Sequence, residues 1–162
     1  MTMRGTTSPD NAVMATVQRD LHLDPDTLPW VEQTPGVWFK LLRTSPSEER
    51  YTNLLKVAPG GLLARHRHPG PVEAWVIAGS SRYLEHDWVA GPGDYIYEPI
   101  GDVHTLVVDP AEEMITLFQV TGGVVYLDEH DEVVRIDTAQ SKLDRYLEHC
   151  RVHGLEPANI VF

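Results

Sequence analysis

Three of the eight histidines in this 162-residue chain, His66, His68 and His104, stand at spacings that suit metal ligation. Arg65-His66-Arg67-His68 sets two imidazoles two residues apart, and His104 follows the run Gly93-Asp94-Tyr95-Ile96-Tyr97-Glu98-Pro99-Ile100-Gly101-Asp102-Val103. Side chains alternate across an extended strand, so a His-x-His pair presents both rings on one face. A third histidine and a carboxylate from neighbouring strands would complete a facial set around one divalent cation. Neutral imidazoles with open coordination positions suit Fe(II), Zn, Cu, Ni or Mn, and they leave room for a substrate or dioxygen. By the same alternation Arg65 and Arg67 face the other way and read as outward or interface residues.

Two further carboxylates stand at positions where they could act on a substrate. Glu98 shares a strand face with Ile96 and Ile100, an odd place for a charge that has no partner. It could hydrogen-bond a ligand imidazole and so fix its tautomer, or accept a proton from substrate. Glu85 shares a face with Tyr83 in Arg82-Tyr83-Leu84-Glu85-His86-Asp87-Trp88, so it lines a cavity if Tyr83 does. His22, His86, His130, His149 and His153 have no motif around them and read as surface or structural residues.

Short strands must position these groups. The pattern predicts them over Val37–Leu42, Tyr51–Val57, Leu62–His68, Glu73–Ala78, Arg82–Val89, Tyr95–Glu98, His104–Val108, Met114–Val120, Val124–Asp128 and Glu132–Ile136. Gly/Pro turns at near-even spacing make this an all-β chain, an antiparallel sandwich or barrel. A helix is predicted from Thr138 to about His153, with Asp137 and Gln140 in capping-box positions and Gly154 just past its end. Leu143, Tyr146, Leu147 and Cys150 would form its apolar stripe, packed on the outside of the sheets or used as a dimer contact. Residues 1–23 read as a polar tail or arm, with Asn11–Leu23 able to form a short helix. Residues 24–162 read as one domain including the C-terminal helix.

The two histidine segments, with the turns between them, resemble the cupin superfamily. That resemblance implies a jelly-roll β-barrel of the RmlC-like kind. It puts Glu73 in the place of the motif's carboxylate, giving His66, His68, Glu73 and His104 as the metal set with Glu85 as a rival to Glu73. The motif's closing asparagine is replaced by Val108. Leu28-Pro29-Trp30-Val31, Gly36-Val37-Trp38-Phe39-Lys40, His66-Arg67-His68-Pro69-Gly70-Pro71-Val72, Tyr83-Leu84-Glu85-His86-Asp87-Trp88 and Tyr97-Glu98-Pro99 resemble one branch more closely. It is the 2,4′-dihydroxyacetophenone dioxygenase family and, more loosely, the acetylacetone-cleaving dioxygenases, within the ChrR-like cupins. The resemblance implies a non-haem Fe(II) enzyme that uses O₂ to cleave a C–C bond beside a carbonyl, in a hydroxyketone or β-diketone. It also matches Glu98 to a glutamate that assists the metal ligands. Trp75, Ile77, Tyr83 and Phe118 would then supply an apolar wall. The alternative in another class is a non-catalytic metal-binding cupin that senses a ligand or zinc, and a third is a sugar isomerase or epimerase.

Composition narrows the partners. A net charge of −11 argues against nucleic acid and anionic membrane, which need clustered Lys and Arg. The single cysteine, Cys150, excludes an internal disulfide and fits a reducing cytoplasm. No apolar run approaches a membrane span, and the first nine residues lack the apolar core of a signal peptide. The expected partners are a small ketone, O₂, and further copies of the chain in a homodimer or homotetramer.

Overall fold

The computed structural model describes residues 20–162. Most of the 1–23 segment therefore lies outside the described residues; Asp20–Leu23 have no regular structure, and Pro25–Thr27 form a single 3-10 turn capped by Asp24. Eleven strands follow: β1 (Val31–Thr34), β2 (Val37–Ser45), β3 (Arg50–Val57), β4 (Leu62–Arg67), β5 (Val72–Ala78), β6 (Ser81–Tyr83), β7 (Tyr95–Glu98), β8 (His104–Val108), β9 (Met114–Thr121), β10 (Val124–Leu127) and β11 (Val133–Asp137). One helix, α1 (Ala139–His153), closes the chain. The strands form a six-stranded sheet, β1-β2-β3-β9-β5-β7, and a five-stranded sheet, β11-β10-β4-β8-β6. This is the two-sheet jelly roll, and the sheets are not closed into a barrel.

Alternation decides which side chains enter the space between the sheets. On β2, Val37, Phe39 and Leu41 are buried; on β5, Val72, Ala74 and Val76; on β8, Leu106 and Val108. Removing these faces from water is the main driving force for holding the sheets together. β1 was not expected as a strand. Val31-Glu32-Gln33-Thr34 alternates in and out, and Pro35-Gly36 reverses the chain onto β2. Gly36 has φ +81°, which glycine adopts without the clash a Cβ would bring.

Three local expectations are corrected. β6 ends at Tyr83 rather than Val89, because Leu84 and Glu85 form a turn in which the His86 N–H bonds the Tyr83 carbonyl. The helix is capped by Thr138, not Asp137. The Thr138 hydroxyl accepts from the Ser141 N–H and the Ser141 hydroxyl accepts from the Thr138 N–H, while Gln140 turns outward to Asp144. The buried stripe of α1 is Ala139, Lys142, Leu143, Tyr146 and Cys150, with Leu147 40% exposed at its edge. That stripe packs on β2 and β1, so the helix covers the six-stranded sheet.

Candidate metal centre

His66 and His68 project inward from β4 and the residue just beyond it, as a His-x-His pair must. β8 runs antiparallel beside β4 with His104 directly opposite His66, so strand register alone delivers the third imidazole. The fourth group is Glu98, from the end of β7 in the other sheet. Its neighbours Tyr95 and Tyr97 point out, and Ile96 and Glu98 point in. One ligand-capable atom from each of His66, His68, Glu98 and His104 lies within 4.8 Å of all the others, and all four residues are buried.

The separations have the scale of a coordination shell. His66 Nε2 and His104 Nε2 are 3.1 Å apart. Glu98 Oε2 is 3.0 Å from His68 Nε2 and 3.5 Å from His104 Nε2. Metal–ligand bonds of about 2.1 Å place adjacent ligands about 3.0 Å apart in an octahedron and about 3.4 Å apart in a tetrahedron. The donor set therefore fits a divalent first-row metal.

Tautomer control points the same way. His66 Nδ1 lies 2.7 Å from the Ala64 carbonyl and His68 Nδ1 lies 2.8 Å from the Gly123 carbonyl. A carbonyl only accepts, so each Nδ1 carries the proton and each Nε2 can offer its lone pair to the centre. Gly123 can make that approach because it is glycine: φ is +80°, and a Cβ there would sit 2.4 Å from the Asp137 carbonyl oxygen. Burial, reinforced by His68 and His104, lowers His66 to about 3, so its ring stays neutral. Burial alone would raise Glu98, but its close contacts with the His104 and His68 rings outweigh it and hold the carboxyl below its ordinary range.

Tyr83 holds two members of the cluster at once. Its ring stacks on His104 at 4.3 Å and 11°, and its hydroxyl donates to Glu98 Oε1. That leaves Glu98 Oε2, which has no hydrogen-bond partner, turned to the imidazoles. Tyr83 had been read only as wall.

Glu73 and Glu85 stand elsewhere. Glu73 lies on the outer face of β5 with Trp75 and Ile77, where Oε1 accepts from the Tyr95 hydroxyl at 2.8 Å. The inward positions of β5 belong to Val72, Ala74 and Val76, so the motif carboxylate points away from the cluster and Glu98 takes its place. Glu85 left the face of Tyr83 when β6 ended; Oε2 accepts the Thr105 N–H at 2.8 Å and Oε1 is 3.7 Å from Arg65. Trp75 and Ile77, at 40% and 52% exposure, are likewise outside the wall, whereas Tyr83 and Phe118 line it.

The cluster borders a small cavity between the sheets, walled by Leu55, Leu63, Leu106, Phe118, Val120 and Val124. At the cavity's other polar residues, Lys142 from α1 and Gln33 from β1 join Tyr126. None of these was singled out in the sequence. The signal for Gln33 was the in-out alternation of β1, and for Lys142 its place beside Leu143 and Tyr146 on the packing stripe.

A two-sheet jelly roll holding three histidines and a glutamate in this arrangement defines a cupin with a potential metal site. Residues 18–125 match the ChrR cupin-like domain model, and the chain belongs to that family. An RmlC-like cupin protein from Ralstonia eutropha JMP134 is similar at 32% identity with a TM-score of 0.82, over 89% of this chain and 95% of that one. An acetylacetone dioxygenase from Acinetobacter johnsonii shares the fold at 17% identity and TM-score 0.71, over 91% and 99% of the two chains. The polyketide cyclase RemF from Streptomyces resistomycificus shares it at 17% and 0.56, over 74% and 85%. None of the curated proteins matches. Among the described residues no helix is long and apolar enough to cross a membrane.

Proposed function

We propose that the protein is an Fe(II)-dependent dioxygenase that uses O₂ to cleave a C–C bond beside a carbonyl, in a small hydroxyketone or β-diketone. The observation that carries this reading is the buried set of His66, His68, His104 and Glu98, with one ligand atom of each close to the others, at a cavity walled by apolar residues. Those four residues would hold the iron, which when bound supplies Lewis acidity and one-electron chemistry with dioxygen. The likeness to an acetylacetone dioxygenase supports the substrate class.

The chain's own groups divide the remaining work. Leu55, Leu106, Phe118 and Val120 bury the ketone's carbon skeleton and keep bulk water from the reacting carbon. Ala64 and Gly123 keep the His66 and His68 rings oriented through their Nδ1 protons. Glu98 Oε2, turned to the imidazoles and free of a hydrogen-bond donor, would serve as the carboxylate ligand of that set. Tyr83 O–H, donating to Oε1, keeps Oε2 turned to His68 and His104.

The test is oxygen uptake by protein reconstituted anaerobically with Fe(II), offered 2,4′-dihydroxyacetophenone and acetylacetone. Uptake that requires iron, ketone and His104, with His104→Ala silent, is the expected result. Tight metal binding with no iron-dependent uptake on either ketone would overturn the dioxygenase reading and favour a metal-binding sensor.

A further inference from the structure

The cavity is lined by polar residues that the metal cluster does not use. Lys142 reaches it from α1 and is only 4% exposed, a rare place for an ammonium. Its Nζ donates to Gln33 Oε1 and lies over the Phe39 ring, 4.2 Å from the centroid. An ammonium has three N–H donors, and Gln33 takes one. No carboxylate of the described residues comes within 4 Å of Nζ: Asp137, whose charge acts on Lys142 from farther off, is engaged by Arg135 at 3.4 Å and Arg145 at 3.9 Å. Gln33 is itself fixed, since its Nε2 donates to the Tyr126 hydroxyl at 2.9 Å.

A second observation comes from β3. Asn53 lines the same cavity, is 2% exposed, and its Oδ1 has no hydrogen-bond partner. Its amide can present that acceptor or, after a half-turn about χ2, the Nδ2 donors. Buried polar groups are ordinarily paired. Here an incompletely paired cation and an amide with an unpaired oxygen line one apolar-walled space together with His66, His68 and Glu98.

We propose that Lys142, held by Gln33 in the cavity that Asn53 also lines, is an anchoring site for a carboxylate, so that the ligand is a small oxo acid lying with its carbonyl toward the metal cluster and its carboxylate on Lys142. This rests on the ketone reading of the metal site and narrows its substrate class. The ligand supplies the counter-charge that the protein withholds from Lys142, and the acceptor oxygens its free N–H groups lack. Burial draws Lys142 down to about 7 against the pull of Asp137, as expected of an ammonium with no carboxylate in contact with it.

Calorimetry on chelator-treated, metal-free protein tests the anchor without turnover. The probes are 4-oxopentanoate and the isosteric, uncharged 4-oxopentanamide, at pH 6.5. Wild type should bind the acid on the order of tenfold or more tightly than the amide. Lys142→Met should erase that preference, and so should Gln33→Glu, which keeps Lys142 but places a carboxylate on it. Retained fold in both variants is checked by circular dichroism. Equal affinity for the two probes in wild type, no binding of the acid, or a preference that survives in a folded Lys142→Met protein overturns the anchor. Iron-dependent uptake of oxygen on uncharged ketones is read separately, so it can stand when the anchor falls, and the anchor can stand when it fails.

Discussion

Replacing Lys142 by methionine has a consequence for stability that can be worked from its burial. In the folded protein desolvation carries the ammonium from 10.5 to about 7, against the opposing pull of Asp137 and with Arg145 and Arg135 adding to the drop. The unfolded chain regains the ordinary value. Between about pH 7 and 10.5 the unfolded state therefore holds a proton that the folded state has released, and stability rises with pH. The slope reaches about 1.4 kcal/mol per pH unit. From pH 7 to 9.5 the gain is about 3 kcal/mol, as an upper figure. Above about pH 10 the sign reverses. Tyr51, Tyr83 and Tyr126 are all raised by burial, so the unfolded chain loses their protons first. Methionine matches the lysine stem in length, carries no charge, and strands Gln33 Oε1 at a cost of about 1 kcal/mol. The variant should accordingly be more stable than wild type at pH 7, with the difference shrinking toward pH 9.5. Urea unfolding at half-unit pH steps, with chelator present to remove metal linkage, measures this directly. Parallel curves for the two proteins would refute the placement of a charge-bearing Lys142 in a dry cavity.

Four further outcomes follow from the site. Glu98→Gln should weaken divalent-metal binding about 10- to 100-fold, while Glu73→Gln and Glu85→Gln leave it within error; competitive titration against a chromophoric chelator separates the three. Tyr83→Phe keeps the stack on His104 but removes the donor to Glu98 Oε1, so unfolding free energy should drop by about 1–3 kcal/mol, and an unchanged denaturation midpoint would count against that hydrogen bond. In metal-free protein, stability should fall as pH drops from about 6.5 toward 3. The unfolded chain protonates His66 across that window and the folded chain does not, so a flat thermal-melting profile there would contradict the buried neutral imidazole. Thr138→Ala should cost about 1 kcal/mol through loss of the α1 N-cap, whereas Asp137→Asn should not reproduce that loss through capping; thermal melts of both decide it.

The sequence by itself determined the all-β class, nearly all the strands, and the C-terminal helix, because turn residues and period-two burial are local properties. His66 and His68 were legible for the same reason: a residue spacing of two on a strand is a statement about one face. The carboxylate was not. Glu73 and Glu98 both precede or follow a Pro-bearing turn, and which of them points inward depends on the phase of β5 and β7 at the edge of the six-stranded sheet. The pairing of Val72 with Glu98 sets that phase, and it puts Val72 and Glu98 inside and Glu73 outside. Glu85 was lost by the early end of β6, which a Tyr83–His86 backbone turn decides. Lys142, Gln33 and Asn53 are separated by up to 109 residues in the chain, and each alone reads as a surface polar residue. Only the packing of α1 over β1 and β2, and of one sheet on the other, buries them around one space, because long-range burial is a property of the folded chain and not of any spacing within it.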